Sequence, residues 1–431
     1  MKSIIKFFKY NYRRVLQSIA FYPVLISLLY VLAAVVSLKV DSSELVEQLK
    51  EKVPYLFIQD YETVRAMLST FVGGIISLTV FSFSMVMVVL GQASSDFSPR
   101  LLPGLISNKK NQVILGIYVG TLLYCTLILL SLGAYGTDSY NVGMSAMLAA
   151  VMSVICIVLF IYFINSISKA IQIHNIIDGI YERCNSFLAR ELGGHDATKV
   201  GLQYIDSQEW KQILSDRSGY FRGFDRALMS SATKEVGNQI EIVPYLNRHI
   251  WKGDVAIRVK NNISDEAAEN LLFCMDISSD RHEDDKGIGG MIKLMEIAVK
   301  AMSPGINDPG TAIDAVTKLG SLLSKFLQFP HMVSNTFDGG ELILIENHIP
   351  AEELMRILVQ PIRLYSKKDS SVMYELINAL QFMYDAHGLS RDDRQALADE
   401  LEATRRDIEM HIDNEYDKQG LLALLEDQGE N

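Results

Sequence analysis

Four apolar runs, at about 19–38, 66–92, 113–135 and 143–167, constrain this chain before any other feature does. An α-helix rises about 1.5 Å per residue, so about 20 apolar residues cross the roughly 30 Å hydrocarbon core of a bilayer. The reading is a four-helix transmembrane domain over residues 17–167, behind a basic segment at 1–16. A basic start followed by an apolar run also suits a signal peptide. This run is long enough to span, however, and no small-x-small cleavage site is followed by a typical secreted chain. Pro23 falls in the first turn, where proline is tolerated.

The flanking charges orient the spans. Lys2, Lys6, Lys9, Arg13 and Arg14 precede the first run. Arg100, Lys109 and Lys110 lie between the second and third, and Lys169 follows the fourth. Asp41–Arg65 is acidic overall and 137–142 has no Lys or Arg. Lys and Arg concentrate on the cytoplasmic side of a membrane protein. Four spans put all the basic flanks on one side, which predicts cytoplasmic N- and C-termini in a bacterial inner membrane.

Charge divides the chain. Residues 1–170 carry 13 Lys and Arg against 8 Asp and Glu; the remainder carries 27 against 43. An acidic soluble part excludes nucleic acid as a partner, since phosphate binding needs clustered Lys and Arg. Cys125, Cys156, Cys184 and Cys274 form no Cys-x-x-Cys pair. They read as separate buried thiols, with no disulfide framework or zinc site.

Beyond the spans the pattern becomes soluble and predicts a cytoplasmic α+β region. Residues 168–200 read as a stalk helix. A β-rich module at 201–262 contains SGYFRGFD, QIEIVPYL and HIWKGDVAIRV, short β-branched or aromatic runs broken by turn residues. Arg226–Lys234 reads as a helix between strands. Residues 263–389 read as mainly helical, with Ser264 as a cap and a hairpin at 332–346, and 390–431 as a charged helical tail. Trp251 is expected to pack against the following helix, and His174 to be structural or on the surface.

Two stretches stand out as sites. In the second span Thr70, Ser77, Ser84 and Gly91 are each seven apart, near two turns of helix, so they share one face. Such a face meets another helix or lines water. Gln92, Ser95, Asp96 and Arg100 follow at its predicted cytoplasmic mouth. In the soluble part, Ser303–Thr311 reads SPGINDPGT. Asp308 before Pro309 is a helix-start signal, so the stretch reads as a tight helix–helix corner. Ser303, Gly305, Asn307, Asp308 and Thr311 are also candidate ligand-binding residues, because helix N-terminal amides attract anions. The acidic loop 280–290 matches neither an EF-hand nor a zinc hydrolase, and no nucleophile elbow, Walker loop or dinucleotide fingerprint occurs. No catalytic residue, metal ligand or cofactor is assigned.

SSDFSPRLL at 94–102 and A-x-SPGINDP-x-TA at 301–312 resemble the bacterial family named domain of unknown function 2254. The general layout agrees over most of residues 10–390. The resemblance implies four spans and a cytoplasmic C-terminal half, and no activity. One departure is Lys286-Gly-Ile-Gly-Gly-Met291, where an aromatic before glycine is expected. The functional expectation is a homo-oligomeric ion channel or channel-like transporter, its second span lining the path, with an ion or small molecule as ligand. The alternatives are a membrane-anchored sensor or scaffold, and an envelope or lipid-processing enzyme.

Overall fold

The computed structural model describes residues 20–41, 43, 60–96, 109–135, 143–170, 172–193, 199–202, 206–230, 238–279, 287–329, 332–336 and 343–426. The chain divides into two units, residues 1–172 and 173–431.

The first unit is built from four helices long and apolar enough to cross a membrane. They are α1 (Phe21–Asp41), α2 (Tyr61–Asp96), α3 (Lys109–Tyr135) and α4 (Gly143–Ala170). Their outer surface is apolar: Leu28, Leu32, Val88, Leu130 and Ile161 are all exposed. Hydrocarbon is the surrounding that such side chains fit.

Gly116 and Gly120 of α3 explain how α1 packs. A Cβ at Gly116 would lie 2.9 Å from Ile26, and one at Gly120 would lie 2.7 Å from Tyr30. The Gly-x-x-x-Gly spacing therefore lets α1 approach α3 within the same chain. Asp41, buried at the end of α1, accepts from the Met144 and Ser145 amides at 3.0 Å each. It supplies partners to the first amides of α4, which have none inside the helix. Tyr124 donates to Ser37 Oγ at 2.9 Å beside them. A polar network thus ties α1, α3 and α4 together.

The second unit mixes helices and strands. It starts with α5 (Ile173–Gly193) and continues with β1 (Lys199–Leu202), β2 (Lys211–Leu214), β3 (Gly219–Phe224), β4 (Gln239–Ile242), β5 (His249–Ile250) and β6 (Val255–Val259). Next come α6 (Asp265–Cys274), β7 (Met275–Ser278), α7 (Ile288–Ala301), α8 (Pro309–Phe326), β8 (Met332–Thr336) and β9 (Ile343–Asn347). The helix α9 (Ala351–Leu354) passes through a π-helical segment, Met355–Val359, into α10 (Gln360–Ser366). The chain ends on α11 (Ser370–Tyr384), α12 (Arg391–His411) and α13 (Glu415–Glu426).

Residues 201–262 do not close as a module of their own. The larger sheet runs β1-β8-β9-β4-β6-β2, and β9 lies parallel to β4. Two of its six strands, β8 and β9, thus come from outside that stretch, and β1 straddles its start. The reason is burial: Ile240, Ile242, Ile257 and Leu344 form one core that the local strands alone cannot cover. Inside this sheet Glu241 is buried, and Ser207, Arg258 and Asn347 donate to its carboxylate. A smaller sheet runs β5-β3-β7. Its β7 falls in a region read as helical. Arg226–Leu228 forms a single 3₁₀ turn in place of the expected helix start, and 231–237 lie outside the described residues.

Helices α5 and α8 run side by side in the same direction. His174–Asp314, Asp178–Lys318, Tyr181–Ser321 and Asn185–Lys325 are contacts with one constant offset of 140 residues. The steps of four, three and four residues follow the helix period. His174 is therefore an exposed member of a structural ladder.

Candidate functional site

The two stretches singled out in the sequence are placed differently from each other. Thr70, Ser77, Ser84 and Gly91 are all exposed, on the outer face of α2. A Cβ at Gly73, Gly74 or Gly91 would meet nothing within 4 Å. Thr70 Oγ1 donates to the Ala66 carbonyl at 2.8 Å, and Ser77 Oγ to the Gly73 carbonyl at 3.0 Å. Both hydroxyls are satisfied by their own helix. Ser82 instead points inward and is buried. Gln92 is exposed, Ser95 and Asp96 close the helix, and Arg100 lies outside the described residues.

The corner between α7 and α8 is closed by its own hydrogen bonds. Asp308 Oδ1 accepts from the Thr311 amide at 3.1 Å and Oδ2 from the Thr311 hydroxyl at 2.6 Å. Ser303 Oγ donates to the Lys300 carbonyl at 2.7 Å, and the Ser303 carbonyl accepts from the Ile306 and Asn307 amides. Asn307 takes φ +47°, a left-handed conformation that asparagine tolerates better than most residues. Residues 304–308 and Gly310 are exposed. The capping residues predicted from the sequence occupy their capping positions.

A cleft of about 600 Å³ in the second unit brings together residues that no sequence motif joins. One wall is the turn between β4 and β5, Tyr245–His249. The other is α9 and the π-helical segment, with Glu352, Glu353, Arg356 and Ile357. Ile288 and Ile292 of α7, and Ile349 before α9, supply apolar lining.

Both walls carry a backbone irregularity. Asn247 has φ +68°, and its amide donates to the Phe221 carbonyl at 2.7 Å. That left-handed residue turns the chain so that Tyr245, Leu246 and Arg248 all border the cleft. On the other wall, Pro361 has no amide proton and its ring crowds the carbonyl one turn back. The helix accommodates this with π geometry, the Gln360 amide reaching the Met355 carbonyl. Single π turns inside helices occur frequently at functional sites.

The charges in the cleft are ordered. Tyr245 Oη donates to Glu353 Oε1 at 3.1 Å. Arg356 Nε donates to Glu353 Oε2 at 2.7 Å, and Arg356 Nη2 closes the second arm on Oε1. The Arg248 guanidinium lies over the Tyr245 ring, 5.6 Å from its centre, a cation–π distance. Burial, then the Glu353 carboxylate, push the Tyr245 hydroxyl up to about 12. The Arg356 hydrogen bonds hold Glu353 below the usual carboxylate range. Tyr245 is therefore a firm donor and Glu353 a firm acceptor around neutrality.

Trp251 is 66% exposed, contrary to the expectation that it packs on a helix. Its indole instead lies 4.4 Å from the His249 ring, which itself borders the cleft. Among the described residues no three His, Cys, Asp or Glu side chains cluster as a metal site needs. Residues 280–286 of the acidic loop lie outside them. The loop's end is described: Gly287 takes φ +55° as α7 begins, close to Phe187.

Four helices long and apolar enough to cross a membrane, followed by a mixed α/β unit, are the layout of a predicted membrane protein. The chain belongs to the family of predicted membrane proteins designated DUF2254, whose model matches residues 17–381. It is 24% identical over 333 residues to Uncharacterized protein Rv1290c of Mycobacterium tuberculosis and to Uncharacterized protein Mb1321c of Mycobacterium bovis. The match covers 74% of this chain and 61% of each relative, so the chain spans about three fifths of their length. No solved structure matches.

Proposed function

We propose that this protein is a membrane-anchored sensor that binds a small ligand in the cleft between Tyr245–His249 and Glu352–Ile357. The observation that carries this reading is the meeting of a left-handed Asn247, a π-helical turn and an ordered Tyr245–Glu353–Arg356 network around one cavity. Its volume lies in the range of small-molecule sites, and it combines apolar walls with a few placed polar groups, as such sites do. The four helices hold the chain in a bacterial inner membrane. The basic flanks favour both termini, and with them the cleft, on the cytoplasmic side.

A thermal-shift screen of the full chain in lipid nanodiscs tests this reading, because a ligand that binds only the folded state stabilises it. At least one metabolite is expected to raise the melting temperature of the native chain and not of Ile292→Trp, which fills the cleft. A library without a hit, or shifts unchanged in Ile292→Trp, contradicts it.

A second reading, a homo-oligomeric channel, draws support from the outward face of α2. Thr70, Ser77, Ser84 and Gly91 point away from their own bundle, so several copies around an axis would turn them toward a common path. Single-channel recording of the purified protein tests it. Conductance is expected in the native chain and a block in Ser77→Leu and Ser84→Leu. A silent native chain, or unaltered conductance in both variants, contradicts it.

A further inference from the structure

We propose that the cleft takes an organic anion, a carboxylate or phosphate ester carried on a small apolar body; this rests on the reading of the cleft as a ligand site. The hydrogen-bond inventory determines the sign of the ligand charge. Glu353 is already engaged on both oxygens, by Tyr245 and by the two arms of Arg356. A cationic ligand would have to displace a guanidinium to reach it. Glu352 is exposed in the first turn of α9, where a helix N-terminus favours a carboxylate without any ligand.

The donors are in the opposite state. Arg248 makes no ion pair with any described residue and rests on the face of Tyr245. Arg356 is 62% exposed, and its two bonds to Glu353, from Nε and Nη2, leave the Nη1 protons free of that carboxylate. Two guanidinium groups with unspent donors therefore border one cavity. A planar guanidinium fork matches carboxylate and phosphate oxygens two at a time.

The apolar part of the lining sets the body of the ligand. Ile288, Ile292, Ile349 and Ile357 offer no polar atom beyond the backbone. An inorganic anion would leave these walls wet, whereas an aliphatic or aromatic body removes them from water. About 600 Å³ accommodates a body of that kind beside its charged head.

Calorimetric titration of the full chain in phosphatidylcholine nanodiscs tests the proposal with four probes: hexyl phosphate, hexanoate, hexanol and inorganic phosphate. Hexyl phosphate or hexanoate is expected to bind more tightly than hexanol and inorganic phosphate. Arg248→Gln is expected to weaken that binding about 10-fold, the size of a charge-assisted hydrogen bond, with Arg248→Lys intermediate. Hexanol binding as tightly as the anions, indifferent to Arg248→Gln yet lost in Ile292→Trp, overturns the anion and leaves the ligand site standing. Inorganic phosphate binding as tightly as hexyl phosphate overturns the apolar body. No probe binding at millimolar concentration overturns the proposal, and the metabolite screen then decides the site separately. Repeating the titration in phosphatidylglycerol nanodiscs identifies the source of the anion. Weaker apparent binding that persists at high ionic strength, where the lipid surface potential is screened, identifies a lipid headgroup and unchanged binding a soluble anion; either result supports the class.

Discussion

Tyr245 and Glu353 show how two side chains set the chemistry of the cleft. Glu353 ionises below its ordinary value of 4.5, because Arg356 hydrogen-bonds the charged form. A depressed acid contributes stability above its unfolded value, and that contribution is lost as pH falls through the folded one. Tyr245 moves the other way, from 10.0 to about 12. Its contribution is complete below pH 10.0 and is lost as pH rises toward about 12. The native chain should therefore lose stability between those alkaline values, and Tyr245→Phe should lose less. In acid the native chain should lose stability below pH 4.5, and Glu353→Gln should lose less. Urea midpoints measured against pH check both arms. None of this was legible from the residues alone. Tyr245 and Glu353 are 108 positions apart and carry no motif. The Asp308–Pro309 cap was legible, because capping depends on neighbours three residues away.

At the scale of elements, glycine separates two kinds of helix face. Gly116 and Gly120 are filled by α1, whereas Gly73 meets nothing. Gly120→Ile should lower the thermal stability of the full chain in detergent by about 1–3 kcal/mol, as overpacking does. Gly73→Ile should leave it within about 0.5 kcal/mol, the range of substitutions away from packed features. Equal losses in the two variants would place a neighbour against Gly73 and favour the channel reading. The four long helices were legible because run length alone marks them. The larger sheet was not. β4 and β9 are four and five residues long, lie about 100 positions apart and pair in parallel. Short apolar strands give no signal of their partner. The π turn before Pro361 was equally hidden.

At the scale of the whole molecule, the chain joins an apolar four-helix unit to a mixed unit of residues 173–431 with its own cores. Function is best sought where each unit departs from simple packing. In the first unit that is the outward polar face of α2. In the second it is the cleft, because the Ser303–Thr311 corner spends its polar groups on itself. Amide hydrogen exchange on the full chain in nanodiscs, with and without hexyl phosphate, decides between the cleft and that corner. The account predicts slower exchange at Tyr245–His249 and Glu352–Ile357, with no change at Ser303–Thr311. Protection confined to Ser303–Thr311 would contradict it.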